Sequence, residues 1–244
     1  MTAREYREIS DYMRAAMPEG DDCHGAEHVL RVLYNALLLA RYEEDVDMDV
    51  LIAAALLHDV GRRLQDADPS VSHARAGSGL AYDYLLTRGW PEERAAHVRD
   101  CVRTHSFRAD DPPRTIEAKL LFDADKLDVC GAIGVARTLQ YGATHAEPTY
   151  TRDDAGQIRD GTGEEPDSFF HEYHYKLKRV YDGFYTRKGA ELAKERRQIM
   201  DDFCAALLRE TRGAEAEGAR LLGEWVDQDD VSSRACGDRS QRYE

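Results

Sequence analysis

No apolar run in this sequence approaches the ~18 residues that a membrane-crossing helix needs. Its first residues, MTAREYREIS, lack the apolar core of an export signal. Cysteine is sparse. Cys23, Cys101, Cys130, Cys204 and Cys236 are odd in number and scattered, and no two form a CxxC pair, so neither a disulfide framework nor a zinc ribbon is expected. These absences predict a cytoplasmic protein with reduced thiols. Positive charge is also short: 33 Lys and Arg against 47 Asp and Glu leave a net charge of −14. That balance repels nucleic acid and anionic membranes as bulk partners. It does not forbid a small anionic substrate, because a bound cation reverses the local sign. The sequence also has no GxxxxGK[ST] phosphate loop, no GxGxxG and no GxSxG. Phosphate chemistry in such a chain would rest on a metal.

What is present is enough apolar material for a core: 42% hydrophobic and 9% aromatic residues over 244 positions, with 33% charged. The periodicity is helical almost everywhere, and no run shows clean strand alternation. Thr2 and Glu5 fit a capping box for a first helix reaching about Met17. A second helix starts near His24. A third, MDVLIAAALLHDV, is apolar nearly all round and reads as the central buried helix, closed by Gly61. Further helices are expected at Ser72–Thr87, Pro91–Thr104, Ile116–Asp128, Gly131–Tyr141, Ser168–Asp182, Lys188–Thr211 and Glu215–Val226. The fold class is all-α, in one domain, with a long Gly-, Asp- and Pro-containing loop near 144–166. The chain divides into an N-terminal helix (1–20), a core (21–141), a flexible loop (142–166), C-terminal helices packing on the core (167–226) and a disordered tail (227–244).

Four groups of residues could carry chemistry. His58-Asp59 directly follows the apolar run LIAAALL, where a carboxylate is costly to bury unless it is paired or coordinates a metal. Adjacent helical residues point about 100° apart, so both reach one ion only near the helix end that Gly61 marks. His24 and His28 share one helical face, but Glu27 stands where the zinc-protease motif does not want it, which excludes that activity. His73 and His105 lie near helix ends. Asp123, Asp125 and Asp128 lack the spacing and glycine of a calcium loop. Asp123 and Asp128 are expected on a solvated acidic face. His and carboxylate together suit Mn, Mg, Fe, Co, Ni or Zn.

The ordered segments CHGAEHVLRV, AALLHDVG, THSF and DADKLDVCGAIGVAR, with the later HEYHYKLKRVYDGFYTRKGAELAKERRQIM, resemble the HD-domain metal-dependent phosphohydrolase superfamily, in a bacterial branch of predicted hydrolases. The resemblance covers roughly residues 20–210. It implies an HD-type helical bundle and metal ligands at His28, His58, Asp59 and Asp125, with positions left open for water and a phosphate oxygen. Two-metal members use two further histidines, and His73 and His105 stand in that order, with Asp59 then bridging. The implied activity is hydrolysis of a small phosphorylated molecule, a nucleotide by preference, with water activated by a divalent metal ion. Asp59 and Lys126 would be catalytic. Arg31, Arg62, Arg137, Lys176 and His24 are candidate substrate contacts, since Arg offers a fork and Lys a point charge to phosphate. The alternatives are a di-iron oxygenase of the same superfamily and a non-catalytic helical scaffold or sensor.

Overall fold

A computed structural model describes residues 1–17, 25–106 and 111–237, the side chains of 227–237 apart. Among the described residues the chain is helical, and its one β feature is an isolated antiparallel bridge between Arg152 and Ile158. None of its helices is long and apolar enough to cross a membrane. Helix α1 (Ala3–Ala16) begins at the expected capping box: Thr2 Oγ1 accepts from the Glu5 N–H, and the Glu5 carboxylate accepts from the Thr2 N–H at 2.6 Å. Helices α2 (Ala26–Ala40) and α3 (Met48–Leu57) follow. The N-cap Asp47 side chain accepts from the N–H groups of Asp49 and Val50 to start α3.

Helix α3 is the centre of the bundle, as its uniformly apolar sequence predicts. Val50, Leu51, Ala53, Ala54, Ala55, Leu56 and Leu57 are all fully buried, and α3 touches α1, α2, α5 (His73–Thr87), α6 (Glu92–Thr104) and α7 (Ile116–Leu127). Burying each Leu or Val side chain contributes about 1.5–3 kcal/mol. A short helix, α4 (Arg62–Ala67), occupies part of the polar stretch where no helix is expected. It leaves directly from Gly61. A Cβ at Gly61 would lie 2.3 Å from the His73 carbonyl oxygen and 2.6 Å from the Gly77 nitrogen. The backbone after α3 therefore packs directly on the first turns of α5. Gly61 is required for that close approach, beyond marking a helix end.

Helix α8 (Gly131–Thr144) leads to residues 145–168. That stretch holds the Arg152–Ile158 bridge and is tied to the last helix: Arg212 donates twice to the Ile158 carbonyl, at 3.1 and 2.7 Å, and Arg152 pairs with Glu215. Next come α9 (Phe169–Glu172), a π-helical turn (Tyr173–Leu177) and α10 (Lys178–Val180) in place of one regular helix over Ser168–Asp182. Helix α11 (Arg187–Gly237) runs unbroken where two helices, Lys188–Thr211 and Glu215–Val226, are expected. Gly213 does not break it. A mid-helix glycine costs only about 1 kcal/mol, and the ties at Arg212 and Glu215 flank it.

Candidate metal centre

The ends of five helices converge on one point. His28 comes from the first turn of α2, and His58-Asp59 from the turn that ends α3. His73 is the first residue of α5, capped by Ser72; His105 is the C-cap of α6; Asp125 lies in the last turn of α7. The ligand atoms of His28, His58 and Asp125 lie within 4.8 Å of one another, as do those of His58, Asp59 and His105.

Each of the four imidazoles is fixed through Nδ1. His58 Nδ1 is 2.8 Å from the Ala55 carbonyl and His105 Nδ1 is 2.6 Å from the Val102 carbonyl. His73 Nδ1 is 2.6 Å from Gln65 Oε1, and His28 Nδ1 is 2.7 Å from Asp128 Oδ2. Carbonyl and carboxylate oxygens only accept, so each Nδ1 carries the proton. In the neutral ring each Nε2 then presents a bare lone pair. Those lone pairs surround Asp59. Its Oδ2 is 3.6 Å from both His28 Nε2 and His58 Nε2, and its Oδ1 is 3.5 Å from His73 Nε2 and 3.6 Å from His105 Nε2. Asp125 Oδ1 lies 3.4 Å from His28 Nε2.

Two features suit this cluster to a cation. Both Asp59 oxygens are buried and accept no hydrogen bond; Arg62 Nε is 3.2 Å away but off hydrogen-bond geometry. In addition, the Nε2 atoms of His28 and His58 face each other at 3.3 Å. Lone pairs and an orphaned carboxylate packed this closely repel unless positive charge lies among them. The protonation states agree. Burial disfavours the Asp59 carboxylate, but Arg62, His58, His105 and His73 outweigh it and hold its pKa well below the usual range. Asp125 is lowered likewise, by Lys126, His28 and His58 against burial. Burial pushes His58 down to about 4 and His73 to about 3, so both are neutral ligands. His28 is the exception. Burial and Arg137 oppose its protonation, yet Asp125 and Asp128 outweigh them and raise its pKa. His28 therefore takes up a proton more readily than a free imidazole does.

The arrangement brings His28, His58, Asp59, Asp125, His73 and His105 together. Lys126 stands beside them, its Nζ 2.9 Å from Asp125 Oδ2. Arg31 grips the two Asp128 oxygens through its Nε and Nη2, at 2.7 and 3.0 Å. Arg137 Nη1 reaches Asp128 Oδ2 at 3.1 Å. Lys176 is exposed on the π-helical turn and pairs with Glu172. His24 lies outside the described residues. Asp123 and Asp128, expected on a solvated face, are instead fully buried. Asp128 orients His28, and Asp123 accepts from the N–H groups of Tyr185 and Thr186 and from the Thr186 hydroxyl. Both carboxylates find donors from elements distant in sequence, which the local pattern of α7 does not reveal.

Residues 25–130 match the family model described as the HD domain. YpgQ of Bacillus subtilis (strain 168) is 28% identical over 219 residues, covering 88% of this chain and 97% of that protein. A crystal structure of Bacillus subtilis YpgQ in complex with ADP superposes with a TM-score of 0.65 at 27% identity, over 84% of this chain and 97% of that one. A predicted HD superfamily hydrolase from an uncultured Thermotogales bacterium, also 27% identical, gives 0.58 over 86% and 99%.

Two outcomes follow from the geometry. Asp128→Asn weakens Mn(II) binding by about 10- to 100-fold, measured by calorimetry, because His28 loses the carboxylate that fixes its tautomer. Metal entry must also expel the His28 proton. The apparent affinity of the wild type therefore climbs by up to about tenfold per pH unit and levels off only above the ordinary imidazole pKa of about 6.5. An affinity already flat below pH 6 would contradict this.

Proposed function

We propose that the chain is an HD-domain metal-dependent phosphohydrolase acting on a small phosphorylated molecule, with nucleotides as the substrate class; the match of residues 25–130 to the HD domain supports this. The carrying observation is Asp59: one buried carboxylate without a hydrogen bond, each oxygen facing a different pair of imidazoles. His28, His58, Asp125 and Asp59 Oδ2 would hold one divalent ion. His73, His105 and Asp59 Oδ1 would hold a second, with Asp59 as the bridge. A donor set rich in imidazole, with few carboxylates and no thiolate, suits Mn, Fe, Co, Ni or Zn better than Mg alone. When bound, such ions supply Lewis acidity toward a phosphoryl oxygen and toward water.

The chain's own residues set the conditions for that chemistry. Asp59 and Asp125 stay ionised and His58 and His73 stay neutral, so the cluster is ready to accept cations at neutral pH. Lys126 holds a positive charge beside Asp125, where charge builds on a phosphoryl group in transfer. Arg62, tied to Asp59 by charge, adds a second. The nucleotide preference draws support from the ADP bound to the related YpgQ. The hydrolase reading draws support from the HD-superfamily hydrolases of Thermotogales and Bacillus thuringiensis that share the fold.

The test is phosphate release from nucleoside mono- and diphosphates and from sugar phosphates, with Mn, Mg, Fe, Co, Ni or Zn supplied. The wild type releases phosphate. Asp59→Asn loses on the order of a thousandfold in kcat/KM, and Lys126→Ala about a hundredfold. Oxygen consumption by the iron-loaded protein without phosphate release would move the chain to the oxygenase alternative. No turnover of any kind with any metal would favour a scaffold.

A further inference from the structure

Building on the phosphohydrolase reading above, we propose that Tyr185 is the platform on which the flat base of a nucleotide substrate stacks. The metal centre is closed on most sides: the side chains of His28, His58, Asp59 and His105 are 0–2% exposed. It opens where Asp125 shows 16% of its side chain and His73 shows 11%. From the Asp125 edge a continuous track leads outward along one face of α7. Lys126 Nζ lies 2.9 Å from Asp125 Oδ2 and 5.0 Å from the centre of the Phe122 ring, one turn earlier. The Phe122 ring centre is 5.0 Å from that of Tyr185, with the planes at 86°. Phe122 is buried, whereas Tyr185 is 44% exposed. In this proposal the ribose and phosphates lie along these three steps, between Tyr185 and the Asp125 edge.

An exposed tyrosine alone means little. This one is held in place. Its N–H donates to Asp123 Oδ1 at 2.9 Å, and the neighbouring Thr186 donates through both N–H and hydroxyl to Asp123 Oδ2 at 2.7 Å. Asp123 is fully buried and takes no part in the metal cluster. A Cβ at Gly189 would lie 2.5 Å from the same carboxylate, so α11 packs tightly on it. The sequence DADK thus does three jobs within four residues: Asp123 pins the platform, Asp125 faces the metal centre, and Lys126 joins the two. Stacking on a tyrosine accepts any base, so the platform selects nucleotides over sugar phosphates without choosing among bases.

A matched pair of non-hydrolysable probes tests this: adenosine 5′-(α,β-methylene)diphosphate and methylenediphosphonate, titrated with Mn(II) present. The wild type binds the nucleotide probe more tightly. Tyr185→Ala weakens that binding by about 5- to 150-fold and leaves methylenediphosphonate unchanged, which also shows that the centre is intact. Tyr185→Phe and Tyr185→Trp keep the preference. The platform is overturned by equal losses on both probes, by no loss on the nucleotide probe, or by a wild type that binds both equally. A wild type that binds neither probe overturns the phosphohydrolase reading itself.

Discussion

Asp59 is the constraint from which the rest of the site follows. A carboxylate buried in an apolar bundle costs several kcal/mol unless charge and hydrogen bonds compensate it. Here the hydrogen bonds are missing and the charge is incomplete: Arg62 approaches one oxygen off-axis, and four imidazoles turn their Nε2 atoms inward. Every Nδ1 has a local acceptor, in three cases within eight residues along the chain. The rings are thus held in ligating orientation by their own helices. The fourth, His28, is oriented by Asp128 from α7, which Arg31 and Arg137 hold in turn. The imidazoles around Asp59 are each held by a partner, while the Asp59 oxygens at the centre accept no hydrogen bond.

The hydrophobic core explains why the helix ends meet there. Helix α3 is buried through Ala53–Leu57, so its C-terminal end, carrying His58 and Asp59, is delivered to the interior. Of the helices that pack around it, α2, α5, α6 and α7 each bring one terminus to the same level. The Gly61–Gly77 contact draws the start of α5 against the end of α3 and seats His73 beside Asp59. Apolar packing thus sets the distances, and helix termini supply side chains that need not cross a packed interior to arrive.

Much of this was legible in the sequence, for definite reasons. The all-round apolar run of α3, the Thr2–Glu5 capping box and the abrupt His58-Asp59 after LIAAALL are local signals, and the helices and central carboxylate follow from them. Asp123 and Asp128 were not legible, because these donors lie 62 or more positions away, at Tyr185 and Thr186 for Asp123 and at His28 and Arg31 for Asp128. A helix that mixes charge with apolar residues does not announce which carboxylate turns inward. Gly61 reads as a stop signal, whereas its contact with His73 and Gly77 belongs to tertiary packing. Arg31 reads as a phosphate contact by residue type alone; its grip on Asp128 is a tertiary contact that residue type does not reveal. The unbroken α11 follows from ties to residues 152 and 158, which periodicity cannot see.

One carboxylate that faces two cation positions gives the protein a metal stoichiometry that can be counted. Protein purified without chelator and dialysed against Mn(II) is assayed by elemental analysis beside Asp59→Ala and His73→Ala. Two equivalents per chain are expected in the wild type, about one in His73→Ala, and loss of both positions in Asp59→Ala. A wild type that takes up no metal, or an Asp59→Ala variant that retains the full wild-type complement, would contradict it.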